Sequence, residues 1–186
     1  LRTSTLSQDE LKAFNSLMDD DFVECGTAYL MRLAEAIFKE QDGNPIVQYI
    51  QRLDKNTWKS AFFGTDAEVK LLRDASPLMR TGNQYRFVHR SVLEYFLSRI
   101  IYNPVSIDDD KEADSQDEAE ASPPRPLDAN SLLFQKNLLE ESSVIQFLCD
   151  RVKLNLTFEQ QLRTVIDQSK IDASTTIAAT NAITIL

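Results

Sequence analysis

The sequence predicts a mainly α-helical chain that carries one small β-hairpin. Three observations point there. Apolar residues recur at helical spacing: Leu30, Leu33, Ala34, Ile37 and Phe38 in one stretch, Leu93, Phe96, Leu97, Ile100 and Ile101 in another. Each set lines one face of a helix with about 3.6 residues per turn. Residues 85–88, aromatic and β-branched, follow the turn-like Thr81-Gly82-Asn83, which reads as the second strand of a hairpin. Residues 108–120 hold eight carboxylates, one lysine and almost no apolar side chain. Such a segment cannot bury enough surface to offset its ordering entropy, so it divides the helical chain in two.

In chain order, Ser7-Gln8-Asp9-Glu10 reads as a capping box, with Ser7 accepting from the Glu10 amide and Glu10 reaching back to the Ser7 amide. Leu6 and Leu11 take the hydrophobic-staple positions, and Leu11, Phe14, Leu17 and Met18 continue the stripe. Asp19-Asp20-Asp21 caps the next helix, and Asp42-Gly43-Asn44-Pro45 ends it. Lys39 and Glu40 read as a solvated face. Residues 46–50 suggest a short strand. Trp58, Phe62 and Phe63 read as core aromatics rather than a stacking platform. Residues 66–75 predict a helix with Val69, Leu72 and Ala75 inward, and Pro77-Leu78-Met79 leads into the turn at Gly82. Helix, hairpin and helix over residues 66–102 are compatible with a winged-helix arrangement. Glu94, Ser98 and Arg99 fall on the polar side of the last helix, and Asn103-Pro104 stops it.

Beyond the acidic stretch and Ser122-Pro123-Pro124-Arg125-Pro126, helical spacing returns. Leu132, Leu133, Phe134, Leu138 and Leu139 start an apolar patch. Ile145, Leu148, Cys149 and Val152 share a helix face. Thr157-x-x-Gln160 reads as a second capping box ahead of Leu162, Val165 and Ile166. Ala178, Ala182, Ile185 and Leu186 suit a last helix, whose threonines lower its propensity. The expected organisation is a helical and winged-helix region over residues 1–103, a disordered acidic and proline-rich linker over 104–128, and a second helical segment over 129–186.

The chain has 186 residues and a net charge of −9, enough for one ordinary domain or two small ones. Residues 108–120 carry −7 of that charge, eight carboxylates against one lysine, so the expected folded parts are near neutral. This balance argues against non-specific nucleic-acid binding. No apolar run approaches the roughly 20 residues of a membrane helix, and the first residues are polar, unlike a secretion signal. Cys25 and Cys149 lie far apart and suggest neither a disulfide framework nor a zinc site, so a reducing, cytoplasmic setting is expected. The start at Leu1 and the end at Leu186 within an apolar pattern suggest a piece of a longer chain.

The only histidine, His89, sits where the strand hands over to a helix. Amides at a helix start have no partner inside the helix, and anions gather there. A lone histidine at such a joint also serves as a structural cap or turn residue. The motifs of ATPase chemistry are missing, and nucleophilic catalysis has no support in the sequence. A phosphate-cradling P-loop needs two glycines and a lysine at fixed spacing, and Gly26, Gly43, Gly64 and Gly82 do not supply it. No apolar strand ends in an acidic pair that would hold magnesium. A Ser-His-Asp arrangement would have to use His89, no serine sits in a strained elbow motif, and Ser91 reads as a helix-start hydroxyl. Cys149 reads as a small core residue. Nothing points to a paired-carboxylate glycosidase site. The acidic stretch lacks the spacing and the glycine of a calcium loop. The chain is therefore expected to be non-catalytic, with no metal.

Phe87-x-His89-x-x-x-Leu93-Glu94-Tyr95-Phe96 resembles the Phe-x-His…Glu-(Phe/Tyr) motif of NACHT proteins, signal-transduction ATPases of the STAND class. In that family the motif closes the winged-helix domain just after the nucleotide-binding core, and its histidine contacts the β-phosphate of ADP in the closed, inactive state. The resemblance implies that role for His89, with ADP or ATP bound by the full-length protein and no cofactor held by this chain alone. Many relatives have glutamine where this chain has Leu93, a departure that touches packing. The last helical segment is similar to the connector that fungal NACHT proteins carry before pentapeptide or WD repeats. Its implied partners are an upstream NACHT core and a downstream repeat domain of the same polypeptide, with protein partners and no membrane.

Two other readings stand beside that one. A free-standing helical adaptor would bind a protein partner through a groove. A winged helix could instead bind DNA, whose affinity comes largely from phosphate neutralisation. Against DNA, the helix before the wing sets Asp66, Glu68 and Asp74 against Lys70 and Arg73, and only Arg80, Arg86 and Arg90 cluster around the wing.

Overall fold

The computed structural model describes residues 6–41, 43–102 and 127–186. The acidic stretch, the prolines that follow it, Asn103 and Pro104 lie outside the described residues. The fold is mainly helical with a small three-stranded antiparallel sheet, as the sequence predicts. By its internal contacts the chain divides into two compact units, with the boundary between Phe96 and Leu97.

The first unit opens with α1 (Gln8–Asp19) and α2 (Phe22–Glu40). The capping box forms: the Ser7 amide donates to Glu10 Oε2 at 2.8 Å and the Glu10 amide to Ser7 Oγ at 3.2 Å. The stripe on α1 is rotated from the expected one. Ala13 and Leu17 are buried, Phe14 is half-buried, and Leu11 and Met18 are exposed. The face is set by where the helix meets α4, to which Lys70 ties Glu10. Asp21 caps α2, accepting from the Val23 and Glu24 amides, with a φ of 61° that its short polar side chain tolerates. Leu30, Leu33, Ala34, Ile37 and Phe38 are all buried.

Strand β1 (Val47–Gln48) leads to the short α3 (Ser60–Phe63) and to α4 (Ala67–Ala75). Strands β2 (Leu78–Thr81) and β3 (Gln84–Phe87) form the hairpin. Their loop is Gly82-Asn83, and Gly82 has a φ of 61°, the positive value that two-residue hairpin loops ask of glycine. The order is β1-β3-β2, with Val47 opposite Tyr85 and Leu78 opposite Phe87. One strand placed before two helices and a hairpin closes the sheet on the free edge of β3.

Aromatic rings join these pieces. Tyr29 of α2 donates its hydroxyl to the Phe62 carbonyl at 2.9 Å, and Phe63 packs on Tyr85 with ring centroids 4.4 Å apart. Burial pushes the Tyr29 hydroxyl's pKa upward. Phe63 is buried, and Trp58 and Phe62 are half-buried, so these aromatics are core as expected. On α4, Leu71 joins Leu72 inside, while Val69 is half-buried and Ala75 is exposed.

Helix α5 (Arg90–Tyr102) crosses the boundary of the units. Its five predicted core residues are buried, but so are Glu94 and Ser98, 8% and 1% exposed, which the sequence assigns to the polar side. Glu94 is accommodated by Arg90, whose Nε donates to Oε1 at 2.9 Å one turn earlier.

The second unit comprises the end of α5, α6 (Leu132–Gln135), α7 (Ser142–Leu154), α8 (Leu156–Gln168), a 3₁₀ turn at Ala173–Thr175 and α9 (Thr176–Ile185). Leu132, Leu133 and Leu138 are buried, Phe134 is half-buried and Leu139 is exposed. On α7 the predicted Leu148 is fully buried, together with Val144, which the sequence does not place inward; Ile145, Cys149 and Val152 are only half-buried. The second capping box does not form. Asn155 ends α7 and caps α8 at once, accepting from the Phe158 amide at 3.0 Å, so Thr157 already lies inside the helix. Leu162, Val165, Ala178, Ala182 and Ile185 are buried, with Ile166 half-buried and Leu186 exposed. Tyr102 packs edge-on against Phe158 at 6.1 Å, and the Arg151 guanidinium lies 4.7 Å from the Tyr102 ring.

The polar centre of this unit is Asn181, 0% exposed. Its side-chain N–H groups donate to the Leu133 and Lys136 carbonyls, each at 2.8 Å, and its oxygen accepts from the Leu138 amide at 3.0 Å. One amide thereby fixes α6 and the loop after it to α9.

Candidate functional site

The hairpin and α5 together position His89. Phe87 ends β3 buried, and its ring faces Phe96 of α5 at 6.3 Å. That contact pins the strand's end to the helix's second turn. Leu93 is buried in the same seam, while Tyr95 is partly exposed and meets Phe96 edge-on at 5.2 Å. Most of the motif residues thus have a packing reason for their spacing. His89 differs, because it is exposed.

Its imidazole caps the helix. The Ser91 amide donates to Nδ1 at 3.1 Å, and the Val92 amide donates to the His89 carbonyl at 3.1 Å. Ser91 Oγ lies 2.6 Å from the same Nδ1. An amide can only donate, so Nδ1 carries no proton in this arrangement, and the hydroxyl donates to it as well. The neutral ring's proton is then on Nε2. The open amides expected at the helix start are in part occupied: Ser91 and Val92 bond to His89 itself. What the site offers an anion is the Nε2–H.

The predicted basic cluster of the wing is not one patch. Arg90 pairs with Glu94. Arg86 stands opposite Met79 in the register and Arg80 opposite Tyr85, which puts these two arginines on opposite faces of the hairpin. Ser91 is the helix-start hydroxyl expected. Cys25 and Cys149 are free and half-buried. Burial, then the Asp20, Glu24 and Asp21 carboxylates, push the Cys25 thiol up, away from the thiolate a nucleophile needs. Among the described residues no three His, Cys, Asp or Glu side chains gather as a metal site, and no helix is long and apolar enough to cross a membrane.

Sequence reasoning missed the groups around Tyr85. Arg73 and Arg80 hold their guanidinium carbons 5.9 Å and 5.3 Å from its ring centroid. The opposite register positions of Arg80 and Tyr85 could have flagged one of them. No family model, curated protein or solved structure matches this chain.

Proposed function

We propose that this chain is a non-catalytic regulatory segment of a NACHT-type STAND ATPase, its winged-helix region and helical connector. In this reading it closes over ADP bound by an upstream core and passes the nucleotide state to downstream repeats. His89 makes the phosphate contact. The observation that carries the reading is the capped imidazole: with Nδ1 held by the Ser91 amide, an exposed Nε2–H is left as a donor suited to a phosphate oxygen. Support also comes from the motif Phe87, His89, Glu94 and Tyr95. The mechanism is a two-state interface biased by the nucleotide. Duplex DNA is a weaker candidate, because exposed positions of α4 include Glu68 and Asp74, and Lys70 is paired with Glu10.

The test separates the cap from the contact. Asparagine is a good N-cap but cannot supply Nε2–H. In the full-length protein, His89→Asn is expected to keep the parent's thermal midpoint while releasing bound ADP faster, by roughly fivefold to tenfold for one hydrogen bond of about 1 kcal/mol. ADP release at the parent's rate would reject the contact. A full-length sequence without a P-loop upstream would reject the family reading.

A further inference from the structure

A cleft in the first unit runs between the end of β1, the α3–α4 connection, α4 and the hairpin. One part, about 530 Å³, has Tyr49, Lys70, Arg73, Arg80 and Tyr85 in its walls. An adjoining part, about 500 Å³, shares Tyr49 and Gly64 and adds Arg52 and Lys55. Volumes of this order suit small ligands. The two parts are lined by five cations and by no carboxylate, in a chain whose net charge is −9.

The walls are built rather than fluid. The Arg73 side chain is 13% exposed, and its Nη1 donates to the Gly64 carbonyl at 3.0 Å. A Cβ on Gly64 would stand 2.5 Å from the Ser60 carbonyl oxygen, so this tight connection requires glycine. Arg80 Nε donates to the Gly82 carbonyl at 3.0 Å. Two guanidinium groups thus stand beside one ring, and an anion bound at this wall relieves their repulsion. The acids nearby stand outside these walls: Glu10 bonds Lys70, and Asp74 Oδ1 lies 3.8 Å from Arg73 Nε, on a smaller adjoining cavity. Tyr49 and Tyr85 are 8% and 6% exposed, yet neither hydroxyl has a hydrogen bond among the described residues. Both are donors available to a ligand.

We propose that this cleft binds a small polyphosphate, a molecule bearing two or more linked phosphate groups. Guanidinium forks take phosphate oxygens in pairs, and lysines add point charges. Linked phosphates concentrate several charges in the volume available, whereas the carboxylates of an acidic peptide are spread along its backbone. A DNA duplex is too wide to enter. His89 is in neither wall, so this site stands or falls separately from the ADP contact.

The experiment is calorimetric titration of the 186-residue chain with inorganic tripolyphosphate at low salt, where screening is weak. An acidic peptide and a short DNA duplex are titrated in parallel. Arg80→Gln/Lys55→Gln alters two exposed side chains, and its circular dichroism spectrum should match the parent's. The expected result is saturable single-site binding of tripolyphosphate, weakened roughly tenfold or more in the double variant by loss of two charge-assisted contacts. Absence of saturable binding, undiminished binding by the double variant, or preference for the peptide or the duplex would overturn the proposal.

Discussion

The first unit keeps its histidine and a cluster of cations within reach of solvent, and the second seals its central amide away. His89 is exposed at the start of α5, and Lys70, Arg73 and Arg80 line a cleft. Asn181 is fully buried, with all three of its hydrogen bonds made inside the protein. The contrast separates two uses of polarity. A buried amide whose partners are all backbone groups holds architecture together and offers nothing to a ligand. Cations around a cavity whose own walls hold no carboxylate, and an imidazole with one nitrogen bonded and the other outward, are equipped to receive something.

Replacing Asn181 breaks the comparison most severely. Asn181→Leu strands the Leu133 and Lys136 carbonyls and the Leu138 amide, and each unsatisfied buried group costs about 1–3 kcal/mol. A total loss of about 3 kcal/mol or more is expected in urea unfolding followed by circular dichroism. A loss below about 1 kcal/mol would mean that the three bonds are easily replaced by water, and the contrast would fail. Trp58, the sole tryptophan, lies in the first unit, so its fluorescence midpoint sharpens the comparison by reporting on the other region.

A smaller effect is expected at Glu10, where a polar contact of the first unit is structural. The Lys70 ammonium, then the Ser7 amide and hydroxyl, hold the Glu10 carboxyl down at about 2, from an ordinary 4.5. A carboxyl whose folded value is depressed stabilises the fold above its unfolded value. That contribution is full above about 4.5 and is lost as pH falls through about 2. Glu10→Gln should flatten this acid limb of the stability curve, and Ser7→Ala should cost about 1 kcal/mol at neutral pH through the cap. An acid limb in Glu10→Gln that superimposes on the parent's would contradict the assignment.

How much of this was legible in the sequence follows from how local each cause is. The α5 core, the Ser7 cap, the hairpin loop at Gly82 and the burial of Leu33 and Ile37 depend on short-range periodicity and turn chemistry. They are read correctly. Glu94 and Ser98 are misread because their polarity argues for solvent, while both are buried, Glu94 beside its Arg90 partner. Leu11, Met18 and Ile145 are misread by one step of helix rotation, which the partner helix decides. Thr157 loses its capping role to Asn155, because no spacer separates α7 from α8. Asn181 gives no local signal among threonines and alanines, since its partners lie more than forty positions earlier. The cleft is invisible for the same reason: Arg52, Lys70, Arg73 and Arg80 are scattered along the chain and meet only through the fold. His89 is the intermediate case, found by its position at the joint, while its bond to the Ser91 amide required the structure.

The most direct test of the account is the protonation state of that one ring. The chain holds a single histidine, so a long-range nitrogen–proton correlation spectrum of the 186-residue chain shows one imidazole without assignment. The account predicts, at a pH where the ring is neutral, a proton on Nε2 and a bare, hydrogen-bonded Nδ1, with the Ser91 amide signal shifting on His89→Ala. A neutral ring protonated at Nδ1 would contradict it, because the cap would then be absent and no Nε2–H would face an incoming phosphate.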